Sequence, residues 1–170
     1  GIGVLVTRNF YADVTDNVIT NTRVGIQADY HNKTNPGVTG SISNNQISTW
    51  RVGLFLNQQW TGLTPLVIEE NTFTAENYTG ATSYSGIVMS TITGSANSTI
   101  RDNTVTIPDT DTHSTYTTGY NVWNVTTTAP ITIKGGTVTG GDYGVFVNNW
   151  EGYSSAANGT TVTIDSVTIN

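Results

Sequence analysis

The stretch Val14-Thr-Asp-Asn-Val-Ile-Thr-Asn-Thr-Arg-Val-Gly-Ile-Gln-Ala28 returns 28 residues later as Ile42-Ser-Asn-Asn-Gln-Ile-Ser-Thr-Trp-Arg-Val-Gly-Leu-Phe-Leu56. Both copies read an apolar residue, two polar residues, Asn, any residue and Ile. Both then place Arg-Val ahead of a Gly that opens an apolar-alternating run. A unit that recurs at such a period is the signature of a repeat architecture. Weaker copies follow: residues 66–73 lead to Gly86, 99–105 to Gly119 and 131–138 to Gly144, and 162–167 begin another. Residues 1–6 read as the back half of a unit whose front half is missing.

Two columns emerge when the copies are aligned. One reads Asn17, Asn45, Asn71, Asn103, then Gly136 and Asp165; the other reads Gly3, Gly25, Gly53, Gly86, Gly119 and Gly144. Each unit holds two or three short strands of alternating polarity, none long enough to bury an apolar face alone, so the units must stack. The expected fold is all-β: a single-stranded parallel β-helix, or solenoid, of about five to six coils. Residues 1–170 are expected to form one such segment of a longer chain, with unfinished coils at both ends.

In a stack, equivalent residues lie about 4.8 Å apart. The Asn column is therefore expected to form a ladder of carboxamides at one turn, broken at Gly136. The Gly column is expected to supply positive φ at a corner. Positions one and three after each Gly should face inward: Val4, Val6, Ile26, Ala28, Leu54, Leu56, Ile87, Met89, Tyr120, Val122, Val145 and Val147. Length changes between copies predict insertions at 75–83 and 108–118 on one corner, and at 30–37, 58–65 and 149–157 on another.

Composition agrees and excludes several classes. Only 11% of residues are charged, while β-branched residues and turn formers abound, which suits neither a helical surface nor disorder. The net charge of −6, from 12 acids and 6 bases, argues against a nucleic-acid partner. No apolar run approaches the roughly 20 residues needed to span a bilayer, so membrane insertion is not expected. The absence of Cys is compatible with several compartments. Sequons at Asn32, Asn77, Asn97, Asn124 and Asn158 match the number, about five, that chance gives from such frequent Asn, Ser and Thr, and so carry no inference.

The repeat resembles that of the right-handed parallel β-helices of the pectate-lyase-like superfamily, and the resemblance covers nearly the whole chain. It implies right-handed coiling and a place among polysaccharide lyases, glycoside hydrolases, phage tailspikes and long surface proteins. It is specific for fold and nearly silent on activity. The Asn-Thr-Asp, Asp-Asp, Gly-His-Gly and Arg-Ile-Lys motifs of the superfamily's hydrolases do not occur here.

The outward side of the Gly-led strands defines the candidate site. Asp29, Phe55, Asn57, Trp123 and Asn148 lie on it, edged by Tyr30, Trp60 and Trp150, and aromatic planes beside amides suit sugar rings. Glycoside hydrolysis needs two positioned carboxylates, and this face offers only Asp29. No catalytic residue is assigned. Asp109 and Asp111 form the one dense acidic tip, a weak Ca²⁺ candidate because such an ion takes six or more oxygens; no other cofactor is expected. Arg23 and Arg51 are expected to form surface ion pairs with Glu69, Glu70 or Asp102.

The expected function is that of a non-catalytic structural or glycan-binding segment of an extracellular or cell-surface protein. Its partners would be a polysaccharide or surface glycan and the flanking coils of its own chain. The alternatives are a lyase or hydrolase acting on acidic polysaccharide, and a subunit of an extracellular filament built from exposed coil ends.

Overall fold

The structure is a computed structural model. It describes residues 1–7, 12–29, 40–57, 60–61, 67–90, 93–94, 98–108, 112–113, 115–123, 126–127, 130–148 and 161–170, with only the backbone of 60–61, 93–94 and 126–127. Among them there is no helix, and every strand pairing is parallel.

The chain winds coil by coil. The first contributes β1 (Ile2–Thr7), the second β2 (Val14–Thr15) and β3 (Val18–Asp29). The third contributes β4 (Ser41–Ser43), β5 (Gln46–Asn57) and β6 (Trp60–Thr61). Next come β7 (Val67–Glu69), β8 (Thr72–Ala75), β9 (Tyr84–Ser90) and β10 (Thr93–Gly94). They are followed by β11 (Ser98–Arg101), β12 (Thr104–Thr106), β13 (Thr117–Trp123) and β14 (Thr126–Thr127). The last are β15 (Ile131–Lys134), β16 (Thr137–Thr139), β17 (Tyr143–Asn148), β18 (Val162–Asp165) and β19 (Thr168–Ile169).

Stacking these coils makes three walls. The first is the sheet β2-β4-β7-β11-β15-β18. The second is formed by the front halves of β3 and β5 with β8, β12, β16 and β19; the third by β1, the back halves of β3 and β5, β9, β13 and β17. The short strands β6, β10 and β14 make a further ribbon. About three turns, those carrying that ribbon, are closed by strands on every side, somewhat fewer than the five to six coils expected, although the first wall is six strands deep.

The core is the inward column of each wall. Ile42, Ile68, Ile100 and Ile133 fill it from the first wall, Ile47, Phe73, Val105 and Val138 from the second, and Ile26, Leu54, Ile87 and Tyr120 from the third. Each full burial of such an aliphatic side chain contributes about 2 kcal/mol. Of the twelve expected inward positions, nine are buried; Val4 and Val145 are half-buried and Val147 is 53% exposed. These three lie in the outermost strands of the third wall, which a described strand flanks on one side only.

The Asn column forms the expected ladder at the turn between the first and second walls. Asn17 Nδ2 donates to Asn45 Oδ1 at 2.9 Å, Asn45 Nδ2 to Asn71 Oδ1 at 2.8 Å, and Asn71 Nδ2 to Asn103 Oδ1 at 2.9 Å. Each of these acceptor oxygens also receives the backbone N–H of the preceding ladder residue. The remaining amide proton closes the turn onto backbone: Asn71 Nδ2 reaches Ile42 O and Glu69 O, and Asn103 Nδ2 reaches Ile68 O and Arg101 O. The ladder ends at Gly136. Its φ is 74°, and a Cβ there would collide with the carbonyl oxygen of Asn103.

Two expectations about the columns need correction. Asp165 does not belong to the Asn column, because it pairs in register with Lys134 and the following residue, Ser166, takes the turn conformation; Val167 occupies the Asn position. The Gly column, moreover, does not supply positive φ. That role falls to the residue just before the Asn column: Asp16, Asn44, Glu70, Asp102, Gly135 and Ser166 have φ between 54° and 60°. Short polar side chains tolerate this left-handed conformation better than most. The Gly column is needed for close approach instead: a Cβ on Gly86 would lie 2.7 Å from Gly119 O and 2.7 Å from Val105 Cγ1.

The ladder predicts a gradient of cost. Asn71→Ala leaves several buried groups unsatisfied, at about 1–3 kcal/mol each, so a loss of about 3 kcal/mol is expected in urea unfolding. Asn17→Ala, at the half-exposed end, should lose about 1 kcal/mol; equal losses would show that burial does not set the ladder's worth. Gly136→Asn should lower the melting temperature rather than extend the ladder.

A pH effect follows from Tyr120. It is fully buried, its hydroxyl has no hydrogen-bond partner, and burial first, then the charge of Asp102, pushes its pKa up to about 12. The unfolded chain loses this proton near pH 10 while the folded chain keeps it. Stability is therefore full below pH 10 and falls by about 1.4 kcal/mol per pH unit up to pH 12. Tyr120→Phe should unfold at neutral pH much as the parent does and lack this part of the alkaline decline in denaturant titrations.

Candidate functional site

The Gly column draws the wall inward where the second and third walls meet, and the outer surface is concave along that crease. A groove of about 680 Å³ runs there. Arg23, Val24, Arg51, Val52, Ser83, Ser85 and Tyr116 line it before the crease, and Gln27, Phe55, Val88, Asn121 and Trp123 after it. Gly1 and Ile2 close one end.

In β3 and β5 the chain passes through the crease as one continuous strand of 12 residues. In the next two coils it is interrupted between β8 and β9 and between β12 and β13, at the two predicted insertions. The loops are tied to the solenoid and to each other. Glu76 N–H donates to Thr49 O at 2.7 Å, Thr112 N–H donates to Asn77 Oδ1 at 3.1 Å, and His113 Nε2 lies 2.8 Å from Trp50 O. Trp50 and Tyr78 stack with centroids 4.3 Å apart. The loops thus deliver Ser83 and Tyr116 to the groove rim, and Tyr116 meets Phe146 at 5.8 Å and Tyr143 at 6.3 Å.

The predicted outward positions fall in two columns. Gln27, Phe55, Val88, Asn121 and Phe146 are in register, and so are Asp29, Asn57, Ser90, Trp123 and Asn148. The first column floors the groove; Val88, expected outside, is only 7% exposed because it sits at the bottom. From the second column only Trp123 reaches the groove lining, and it is 37% exposed. Asp29 is turned to structure: its Oδ2 accepts from Gln27 Nε2 at 2.7 Å and its Oδ1 from Asn57 Nδ2 at 3.2 Å. Asn148 is exposed at the end of the column. Tyr30, Trp150, Asp109 and Asp111 lie outside the described residues, as does the side chain of Trp60, whose backbone belongs to β6.

The arginines depart from expectation. Glu69 pairs with Arg101 on the first wall, Nε to Oε2 at 2.5 Å. Arg23 and Arg51, on adjacent coils, make no ion pair or side-chain hydrogen bond with the described residues, and both are exposed in the groove. Placing them there from sequence required knowing that the crease precedes the Gly, and the Arg-Val-Gly repeat was the signal. Among the described residues no carboxylate lines the groove. Among the described residues no group of three or more His, Asp or Glu side chains is placed to hold a metal ion.

The chain was compared with protein-family models, curated proteins and solved structures, and none matches it.

Proposed function

We propose that this chain is a non-catalytic solenoid segment of an extracellular or cell-surface protein, and that the groove at the crease holds a glycan. The observation that carries the reading is the lining itself: the aromatic side chains Phe55, Tyr116 and Trp123 stand beside the amides of Gln27 and Asn121. An aromatic plane offers a sugar ring an apolar face, worth on the order of 1 kcal/mol beyond the buried area, and an amide pairs with its hydroxyls. The groove is open and two or three aromatics long, so each site binds weakly and tight capture needs many sites. The repeat pattern also supports placing the chain with the right-handed helices of the pectate-lyase-like superfamily, because a crossover between parallel strands of one sheet is almost always right-handed.

Arg23 and Arg51 favour one further reading, an acidic polysaccharide, since guanidinium forks match carboxylate and sulfate groups. A glycoside hydrolase acting on such a polymer would need two positioned carboxylates, and among the described lining residues there is no Asp or Glu.

Glycan-array binding of the parent chain, Trp123→Ala with Phe55→Ala, and Arg23→Ala with Arg51→Ala tests both readings. The aromatic pair of substitutions should abolish the signal, and the arginine pair should abolish it for acidic glycans alone. A parent chain that binds no glycan, or aromatic variants that bind unchanged, would leave the groove a plain structural crease. Release of unsaturated or reducing sugars by the parent would overturn the non-catalytic assignment.

A further inference from the structure

The second wall has an outer surface that neither the core nor the groove uses. Beyond the exposed Val18 of β3, its outward residues are Gln46 and Ser48, Thr72 and Thr74, Thr104 and Thr106, Thr137 and Thr139, then Thr168. They stack in register, giving one rank Thr72–Thr104–Thr137–Thr168 and a second rank Thr74–Thr106–Thr139. The inward residues between them, Phe73, Val105 and Val138, are fully buried, so the alternation in and out is strict. No charged side chain stands in these ranks, whereas the first wall carries the charged row Glu69, Arg101, Lys134 and Asp165. None of the seven threonine hydroxyls is hydrogen-bonded to a described residue, and Thr72, Thr139 and Thr168 are exposed.

We propose that this threonine face binds the surface of ice. The stack spaces hydroxyls by about 4.8 Å across the strands and by about 6.7 Å along each strand, from one outward residue to the next. An array of hydroxyls repeating in two directions, as the oxygens of an ice surface do, is a two-dimensional template for ordered water. Threonine suits the task because its branched side chain has few rotamers, so holding the hydroxyl in place costs little entropy. Its methyl group shelters the bound layer, and the lack of charge keeps strongly hydrating groups away from it.

A second observation supports the template. Ordinary sheets twist, which would carry the ranks out of match with a flat lattice within a few strands; flat sheets are held so by stacking or by side-chain ladders. Here the ladder residues Asn71 and Asn103 immediately precede Thr72 and Thr104. Their carboxamide bonds fix one coil over the next at the very edge of the face. The same ladder that stabilises the turn therefore holds Thr72 and Thr104, at the head of their strands, in line.

The test is ice growth in the presence of the chain as it stands. The parent is expected to facet single ice crystals, produce a gap between melting and freezing points, and inhibit recrystallisation. Thr104→Lys with Thr106→Lys, which inserts two charged side chains into the middle of the face, should abolish all three while leaving the far-ultraviolet circular dichroism of the parent. Thr132→Lys on the first wall and Trp123→Ala in the groove should leave them intact, which separates this face from glycan binding. A parent that leaves ice growth unchanged overturns the proposal. So does a folded double variant that shapes ice as the parent does. Should the double variant fail to fold, fluorescently labelled parent decides alone: adsorption to defined planes of a single-crystal ice hemisphere supports the proposal, and exclusion from the ice overturns it.

Discussion

A buried carboxamide has to satisfy two N–H protons and an oxygen, and in this chain it does so largely with the coil below and the coil above. Asn45, Asn71 and Asn103 are at most 1% exposed, so the cost of leaving any of those groups unpaired is large. The bonds fix where each coil begins relative to the last, and the strands that follow inherit that register. Inward Ile, Leu, Val and Phe then meet their equivalents one layer away, and the core becomes a set of like-on-like columns. Hydrophobic burial supplies most of the stabilisation, but it is indifferent to a shift of register by two residues. The ladder is not.

The groove follows from a second constraint of the same kind. At Gly86 and Gly119 the backbone of one coil passes so near the next coil and the opposite wall that no side chain fits. The wall is pulled in at that column, and a concave outer surface results. Insertions are tolerated where strands can be interrupted without opening the core, and two coils carry theirs beside the crease. The place where these two coils differ from their neighbours thus borders the groove. Residues Arg23 and Arg51, on the uninterrupted coils, and Ser83 and Tyr116, from the interrupted ones, line the same side of the hollow.

Much of this was legible in the sequence, for a physical reason: stacking copies the chemistry of one coil onto the next, so alignment of the copies is already alignment in space. The all-β solenoid, the ladder from Asn17 to Asn103 with its stop at Gly136, the buried middle columns and the two insertions beside the crease all follow from that, while the insertions expected at 30–37, 58–65 and 149–157 lie almost wholly outside the described residues. What alignment does not supply is the reason a column exists. Gly was read as a residue of special φ, while the special φ belongs to Asp16, Asn44, Glu70 and Asp102, whose types differ too much to draw the eye. Asp165 was placed by its polarity in a column that Val167 occupies, because in the last coil the carboxamide signal is absent. The partner of Glu69 turned out to be Arg101 rather than Arg23 or Arg51, a choice made by which wall each residue occupies. Phe55, Trp123 and their neighbours were visible as an outward ribbon; that the ribbon is hollowed into a groove was not, since curvature leaves no mark on a pattern of period two.

The ladder also has a direction. In every rung the donors, both the backbone N–H and the side-chain amide, belong to the earlier residue, and the accepting oxygen belongs to the later one. A coil is therefore left with unmet donors until the next 26 to 32 residues have wound onto it. All the pairings that complete it lie within about one coil of sequence, so closing each loop costs little more than the one before. A chain emerging amino end first can wind in step with its own synthesis. Each finished turn offers the growing end a docking edge, and each new turn silences the edge beneath it.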